Sequence, residues 1–149
     1  MSDNNKTFTE VLLVEDNEGD VLLTKAAFGK NKIDANIHVA YNGIEALTYL
    51  EHAFENKSNS QTLPDLILLD INMPKMNGKE FLDKAKNDKR FHTIPILILS
   101  SSEAKKDIVE CYEKHANAYL IKPHSFDQLK DLIGNINSFW CKNVALPTL

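Results

Sequence analysis

The stretch Leu66-Ile67-Leu68-Leu69-Asp70 decides the fold, because four consecutive apolar residues end abruptly in a carboxylate. A short, uninterrupted apolar run is typical of a strand that is buried on both faces of a parallel sheet. The same pattern recurs in residues 11–16 (VLLVED) and in residues 119–122 (YLIK). If these strands lie side by side, three carboxylates and one ammonium group meet at one edge of the sheet. That arrangement predicts a site for a divalent cation and a phosphoryl group.

Outward from this stretch, the chain alternates strand and helix patterns five times. Such alternation predicts an α/β fold, a doubly wound parallel sheet with right-handed crossovers and helices on both faces. Ligands of such sheets bind beyond the carboxyl ends of the strands. The predicted strands are Val11–Val14, Ile37–Ala40, Leu66–Asp70, Ile96–Ser100 and Ala118–Ile121. The predicted helices are Glu18–Phe28, Gly43–Phe54, Lys79–Lys86, Lys105–Ala116 and a last helix that is capped by Ser125 and reaches Trp140.

Helical spacing also predicts which side chains share a face. Leu22 and Ala26 share one face of the first helix, with Gly29 as its C-terminal stop. The same reasoning groups Ile44, Leu47 and Leu50 as inward residues of the second helix, and Ile108, Tyr112 and Ala116 on the fourth. On the last helix it groups Leu129, Leu132, Ile133, Ile136 and Trp140.

Composition and charge exclude several classes of function. The chain has 149 residues and a net charge of −4, so it lacks the basic excess that neutralises nucleic-acid phosphates. No apolar stretch approaches the roughly 20 residues that span a bilayer. The polar N-terminus lacks the apolar core of a signal peptide. We therefore expect a cytoplasmic protein that binds neither nucleic acid nor membrane, with both cysteines reduced.

Four stretches together resemble the receiver domain of two-component response regulators. They are residues 13–16 (LVED), 68–74 (LLDINMP), 98–101 (ILSS) and 119–123 (YLIKP). The resemblance implies the flavodoxin-like receiver fold, with five strands in the order 2-1-3-4-5. It places a receiver domain over residues 8–141 and leaves residues 142–149 as a C-terminal tail, too short for an output domain.

By this resemblance, Asp70 is the phosphoacceptor. Mg²⁺ is bound by Asp16, by Asp70 and by the backbone carbonyl of Asn72, with Glu15 acting through water. Lys122 supplies a fixed cation beside the phosphoryl group.

The resemblance also assigns a switch and a lifetime control. Ser100 hydrogen bonds a phosphoryl oxygen, and Tyr119 turns inward upon phosphorylation. Asn72 and Ser102 tune the acyl-phosphate lifetime, and polar residues at these positions predict a lifetime of minutes or less.

The resemblance names partners as well. A sensor histidine kinase donates the phosphoryl group, and the C-terminal sequence is similar to regulators paired with bacterial phytochrome histidine kinases. Such regulators tend to form homodimers, here through the last two helices and the fifth strand. Phe139 and Trp140 are either interface residues or part of the core at the helix end.

Other functions fit the sequence less well. A haloacid-dehalogenase-type phosphohydrolase needs a second Asp two residues after the nucleophile, where this chain has Asn72. A nucleotide- or flavin-binding protein needs a Gly-rich or Ser/Thr-rich loop after the first strand, but this loop is acidic. Whether the receiver acts on an effector or passes phosphate onward as a phosphorelay intermediate stays open.

Overall fold

The computed structural model describes residues 10–56, 62–143 and 145–147. Five parallel strands form one sheet in the order β2-β1-β3-β4-β5, which confirms the predicted topology. The strands are β1 (Glu10–Val14), β2 (Asn36–Ala40), β3 (Leu66–Leu69), β4 (Ile96–Ser100) and β5 (Ala118–Ile121). The helices are α1 (Glu18–Lys30), α2 (Gly43–Glu55), α3 (Gly78–Lys86), α4 (Lys105–Glu113) and α5 (Phe126–Asn137), and a π-helical segment (Ser138–Asn143) follows α5.

Two hydrophobic layers cover the two faces of the sheet. Successive residues of a strand enter opposite layers, so Leu12 lies in the layer below α2, α3 and α4, and Leu13 lies in the layer below α1 and α5. Both leucines are almost completely buried. Apolar residues are therefore required at positions 11–14 of β1 and throughout β3, which explains the continuous runs in the sequence.

The predicted inner face of α1 is wrong. Leu22 is 63% exposed, whereas Val21, Thr24 and Phe28 are buried. Residues at i, i+3 and i+7 line one side of a helix, and this set runs through a threonine that the apolar pattern passed over. Gly29 does not end the helix either, because α1 continues to Lys30.

The predicted faces of α2 and α4 are partly wrong. Ile44 is 50% exposed, although Leu50 is completely buried as expected. Helix α4 ends at Glu113 rather than at Ala116, because His115 adopts a left-handed backbone conformation with φ of 73°. Tyr112, which lies within the helix, is 49% exposed.

Helix α5 begins as predicted but ends at Asn137, and Trp140 lies in the π-helical segment that follows. Ser125 caps it through a side-chain oxygen that accepts the N–H of Gln128 at 3.1 Å. Leu129 and Ile133 are buried on the predicted face, and Trp140 packs against the same layer.

The end of α3 is tied to the rest of the fold by Lys86. Its ammonium group donates to the carbonyl of His92 at 3.2 Å, the carbonyl of Ile94 at 2.9 Å and the amide oxygen of Asn117 at 3.0 Å. Burial lowers the pKa of this ammonium group. Lys84, two residues earlier, is exposed.

The stretch of residues 56–63 is rich in Asn, Ser and Lys, which predicts a loop before β3. Most of it falls on residues 57–61, which lie outside the described part of the chain. Within the described ranges, no helix is both long and apolar enough to cross a bilayer.

Candidate functional site

The register of the sheet brings two carboxylates to the same edge. Val14 of β1 pairs with Leu69 of β3, so the residues that follow them, Glu15 and Asp70, leave the sheet side by side. The N–H of Asp70 donates to the carbonyl of Val14 at 2.9 Å, which extends the pairing to the site itself. With the neighbouring Asp16, the two residues place three carboxylate oxygens within 4.8 Å of one another.

Burial makes this cluster electrostatically costly. Glu15 is only 3% exposed, and burial raises its pKa from 4.5 to about 7, with the charge of Asp70 acting in the same direction. Burial also raises the pKa of Asp70, which the nearby Lys122 opposes. Crowded, desolvated carboxylates favour either a bound proton or a bound cation.

The donor set of the cluster fits a hard divalent cation. Carboxylate oxygens are the ligands that Mg²⁺ and Mn²⁺ prefer. Asp16 is exposed and therefore accessible to an arriving ion, whereas Asp70 is almost buried. Asn72, whose backbone carbonyl was the expected further ligand, is exposed in the loop after β3, and its N–H lies 3.4 Å from Oδ1 of Asp70.

Two glycines fix the loop that carries Asn72. The N–H of Gly78 donates to the carbonyl of Ile71 at 3.1 Å, and the N–H of Gly43 donates to that of Met76 at 2.8 Å. A Cβ atom on Gly78 would lie 2.3 Å from the carbonyl oxygen of Asp70. Only glycine permits so close an approach, and the loop geometry around Asp70 depends on it.

Lys122, at the end of β5, reaches the same cluster. Its Nζ lies 2.6 Å from Oε1 of Glu15, 3.1 Å from Oδ2 of Asp20 and 3.9 Å from Oδ2 of Asp70. Burial lowers the pKa of Lys122, but the Glu15 hydrogen bond and the charge of Asp70 outweigh burial and raise it overall. The structure thus brings together the four charged residues predicted from the sequence and adds Asp20.

The sequence pattern did not identify Asp20 as a site residue, although its position close to the acidic pair was visible in the sequence. It stands in the first turn of α1, directly after the loop that carries the acidic pair, and its N–H is capped by Oδ1 of Asn17 at 2.9 Å. An acidic residue there is usually explained by the helix dipole. Only the three-dimensional position of β5 relative to α1 shows that Asp20 also contacts the ammonium group of Lys122.

The expected switch residues meet in the loop after β4. Ser100 is completely buried, and its Oγ accepts the N–H of Ser102 at 3.1 Å. The hydroxyl of Tyr119 donates to the backbone carbonyl of Ser102 at 2.9 Å. Ser102 therefore connects the two residues through its backbone.

The side chain of Ser102 is held by α4. Its hydroxyl donates to Oδ2 of Asp107 at 2.5 Å, and the other oxygen of Asp107 accepts from Lys79 of α3 at 2.6 Å. Lys79 also lies 2.9 Å from Glu110. Sequence reasoning missed this link between α3 and α4, because it joins residues on separate helices with no common motif.

Cys111 is not a candidate nucleophile. The thiol is buried below α4, and burial raises its pKa to about 11. A thiol with so high a pKa is almost entirely protonated at neutral pH, and only the thiolate is nucleophilic.

Comparison with known proteins gives consistent matches over nearly the whole chain. Residues 11–134 match the family described as the response regulator receiver domain. Response regulator Rcp1 of Synechocystis sp. is 33% identical over 147 residues, which cover 99% of both sequences. The phosphorylated cyanobacterial phytochrome response regulator RcpA is 34% identical with a TM-score of 0.85, over 94% of this chain and 99% of that one. The Mn²⁺-bound form of Rcp1 is 32% identical with a TM-score of 0.82, over 94% and 99% of the two chains.

Proposed function

Because this chain belongs to the response regulator receiver domain family, we propose that Asp70 is the residue on which it accepts a phosphoryl group. The protein is a phosphoacceptor of two-component signalling, similar to Rcp1 and to the chemotaxis protein CheY1 of Helicobacter pylori. Receiver domains are phosphorylated by sensor histidine kinases. The observation that carries the proposal is the position of Asp70, at the sheet edge beside two further carboxylates and an ammonium group.

The transfer step follows from these positions. A carboxylate oxygen of Asp70 attacks the phosphorus of a phosphohistidine, the P–N bond breaks, and an acyl phosphate forms while the imidazole leaves. The ammonium group of Lys122, 3.9 Å from Asp70, offsets charge on the incoming phosphoryl oxygens. The hydroxyl of Ser100 donates to one of these oxygens.

Receiver domains bind a divalent cation, and here we propose Mg²⁺. Asp16, Asp70 and the backbone carbonyl of Asn72 would hold the ion, with Glu15 acting through water. When bound, the cation would offset phosphoryl charge and the repulsion between the buried carboxylates. The raised pKa values of Glu15 and Asp70 support this assignment, because they mark buried carboxylates whose desolvation Lys122 offsets only in part.

The switch and the lifetime belong to the same proposal. Ser100 and Tyr119 would change position together upon phosphorylation, since both are hydrogen bonded to Ser102. Asn72 and Ser102 would tune acyl-phosphate hydrolysis to a lifetime of minutes or less. Measuring phosphate release from the loaded protein tests the lifetime, and loss over many hours contradicts it.

Phosphorylation by acetyl phosphate tests the assignment of Asp70. The wild-type protein should gain one hydroxylamine-labile phosphoryl group in the presence of Mg²⁺, and Asp70→Asn should gain none. Asp127→Asn is the matched control, because it removes an exposed carboxylate from the first turn of α5. Equal labelling of wild type and Asp70→Asn would overturn the proposal.

This protein would act in the cytoplasm, and its partner would be a sensor histidine kinase of the phytochrome type. The names of similar proteins support this pairing, since RcpA is a phytochrome response regulator and another similar response regulator acts in red light signalling of R. palustris. A phosphotransfer assay against candidate kinases tests the pairing. Transfer onward to a histidine phosphotransfer protein would instead favour the relay role. The phosphohydrolase alternative gains no support, because no acidic residue stands two positions after Asp70.

We further propose that the receiver spans residues 8–141 and forms a homodimer through α4, β5 and α5. Val109 and Tyr112 of α4 and Ile121 of β5 expose apolar surface, and Phe139 is 54% exposed just beyond α5. Trp140 is half-buried against the core, which favours a structural role for this residue. Ultracentrifugation of Phe139→Ser tests the interface, and an undisturbed dimer excludes Phe139 from it.

A further inference from the structure

The ammonium group of Lys122 contacts two carboxylates that do not accept the phosphoryl group, those of Glu15 and Asp20. Glu15 lies 2.6 Å away, and the second close partner is Asp20 at 3.1 Å. The expected phosphoacceptor Asp70 is more distant, at 3.9 Å. An ammonium group has three donors, and here two of them point to Glu15 and Asp20.

We propose that Asp20 is a positioning residue that holds Lys122 back from Asp70 in the unphosphorylated protein. This inference rests on the proposed function of Asp70 as phosphoacceptor. Nζ of Lys122 lies 3.9 Å from Oδ2 of Asp70, too far for a hydrogen bond. A stronger contact with a phosphoryl group on Asp70 would draw the ammonium group towards that residue and weaken its contact with Asp20. The Asp20 contact therefore opposes phosphorylation and favours loss of the phosphoryl group.

The position of Asp20 suits this role. The residue lies in the first turn of α1, where its N–H is held by the Asn17 cap, so the backbone position of Asp20 is fixed. The Lys122 side chain is 16% exposed and the Asp20 side chain is 40% exposed. An ion pair with one solvated partner is weak enough to open during each phosphorylation cycle.

Helix α1 also provides a matched control. Glu18 lies in the same first turn, carries the same charge and is exposed, but its carboxylate accepts from the hydroxyl of Tyr41 at 3.2 Å instead of from Lys122. Glu18→Gln and Asp20→Asn thus remove equal charge from one helix end. Only Asp20→Asn removes a partner of Lys122.

The test compares acetyl phosphate labelling of wild type, Asp20→Asn, Asp20→Glu and Glu18→Gln in excess Mg²⁺. We expect Asp20→Asn to be labelled about two- to fivefold faster than wild type, the size expected for a part-exposed ion pair. Asp20→Glu keeps the carboxylate and should stay close to wild type. Glu18→Gln should also stay close to wild type, and unfolding midpoints confirm that each variant is folded.

A second measurement reads the contact without phosphorylation. The ammonium ¹⁵N resonance of Lys122 in the unphosphorylated protein should shift in Asp20→Asn and stay in place in Glu18→Gln. An identical resonance in both variants overturns the inference, as does a labelling rate of Asp20→Asn that equals or falls below that of Glu18→Gln. If the proposed function of Asp70 is wrong, wild type and Asp70→Asn will be labelled equally. The Lys122 resonance will then still show whether Asp20 contacts Lys122.

Discussion

Replacement of the buried Glu15 by glutamine should change how the stability of the metal-free protein depends on pH. In the folded protein the pKa of Glu15 lies at about 7, against 4.5 for an exposed glutamate. Between these values the folded state binds a proton that the unfolded state has released. Stability therefore falls as pH rises through this window, and the lost free energy of unfolding amounts to about 3 kcal/mol by pH 8. Glu15→Gln keeps the shape of the side chain without the charge, and should lack this loss.

Urea unfolding at pH 5, 6, 7 and 8 in EDTA measures the effect, with the fluorescence of Trp140 as the signal. The free energy of unfolding of Glu15→Gln should gain about 2.5 kcal/mol relative to wild type between pH 5 and pH 8. Glu18→Gln, which removes an exposed carboxylate, should follow the wild-type profile. Saturating Mg²⁺ should restore much of the wild-type stability at pH 8, since a ligand that binds only the folded state stabilises it. Parallel profiles of wild type and Glu15→Gln would refute the reasoning.

Three further predictions concern the structure around the site. Gly78→Ala should lower the free energy of unfolding by about 1–3 kcal/mol, because the added methyl group meets rigid backbone. Gly29→Ala has open space around it and should raise the free energy of unfolding by up to about 1 kcal/mol. Urea unfolding of both variants measures the two effects. Lys86→Met should lower the free energy of unfolding by about 1–3 kcal/mol, because it removes the ammonium donor from the carbonyls of His92 and Ile94, whereas Oδ1 of Asn117 still accepts the N–H of Ile96. An equal effect of the exposed Lys84→Met would contradict this. Lys79→Met should speed amide hydrogen exchange in α4, because it removes the ion pairs of Lys79 with Asp107 and Glu110. Hydrogen-exchange mass spectrometry measures this, and unchanged exchange in α4 would show that these ion pairs do not stabilise the helix.

The strands were predictable from the sequence because their environment leaves few alternatives. A position buried on both faces accepts only apolar side chains, so β1, β3 and β4 appear as continuous runs. The predicted strand limits agree with the structure to within one residue: β2 begins at Asn36, and β3 ends at Leu69.

Helix faces were harder to predict, for a physical reason. In α1 the residues Val21, Leu22 and Leu23 are all apolar, so spacing alone does not identify the side that packs. Docking of the helix on the sheet decides in favour of Val21 and Thr24. In α4, the left-handed backbone of His115 ends the helix early, and a histidine gives little warning of this.

The candidate site divides in the same way. Glu15, Asp16, Asp70 and Lys122 were predictable, because parallel strands must end at a common edge. The contact of Asp20 with Lys122 and that of Lys79 with Asp107 were not. These contacts join long side chains from different elements, and their distances depend on how the helices are placed.

The two apolar layers have a consequence for folding. Where only one face of a strand is apolar, a shift of its register by one residue turns the apolar side chains towards solvent. The lost hydrophobic burial therefore selects the correct register. Here both faces of β3 are equally apolar, so the same shift would cost little hydrophobic burial. The shift would instead draw Asp70 into the sheet, where an unpaired carboxylate is strongly disfavoured. The charged residues at the strand ends thus disfavour a shifted strand register during folding, in addition to their proposed part in signalling.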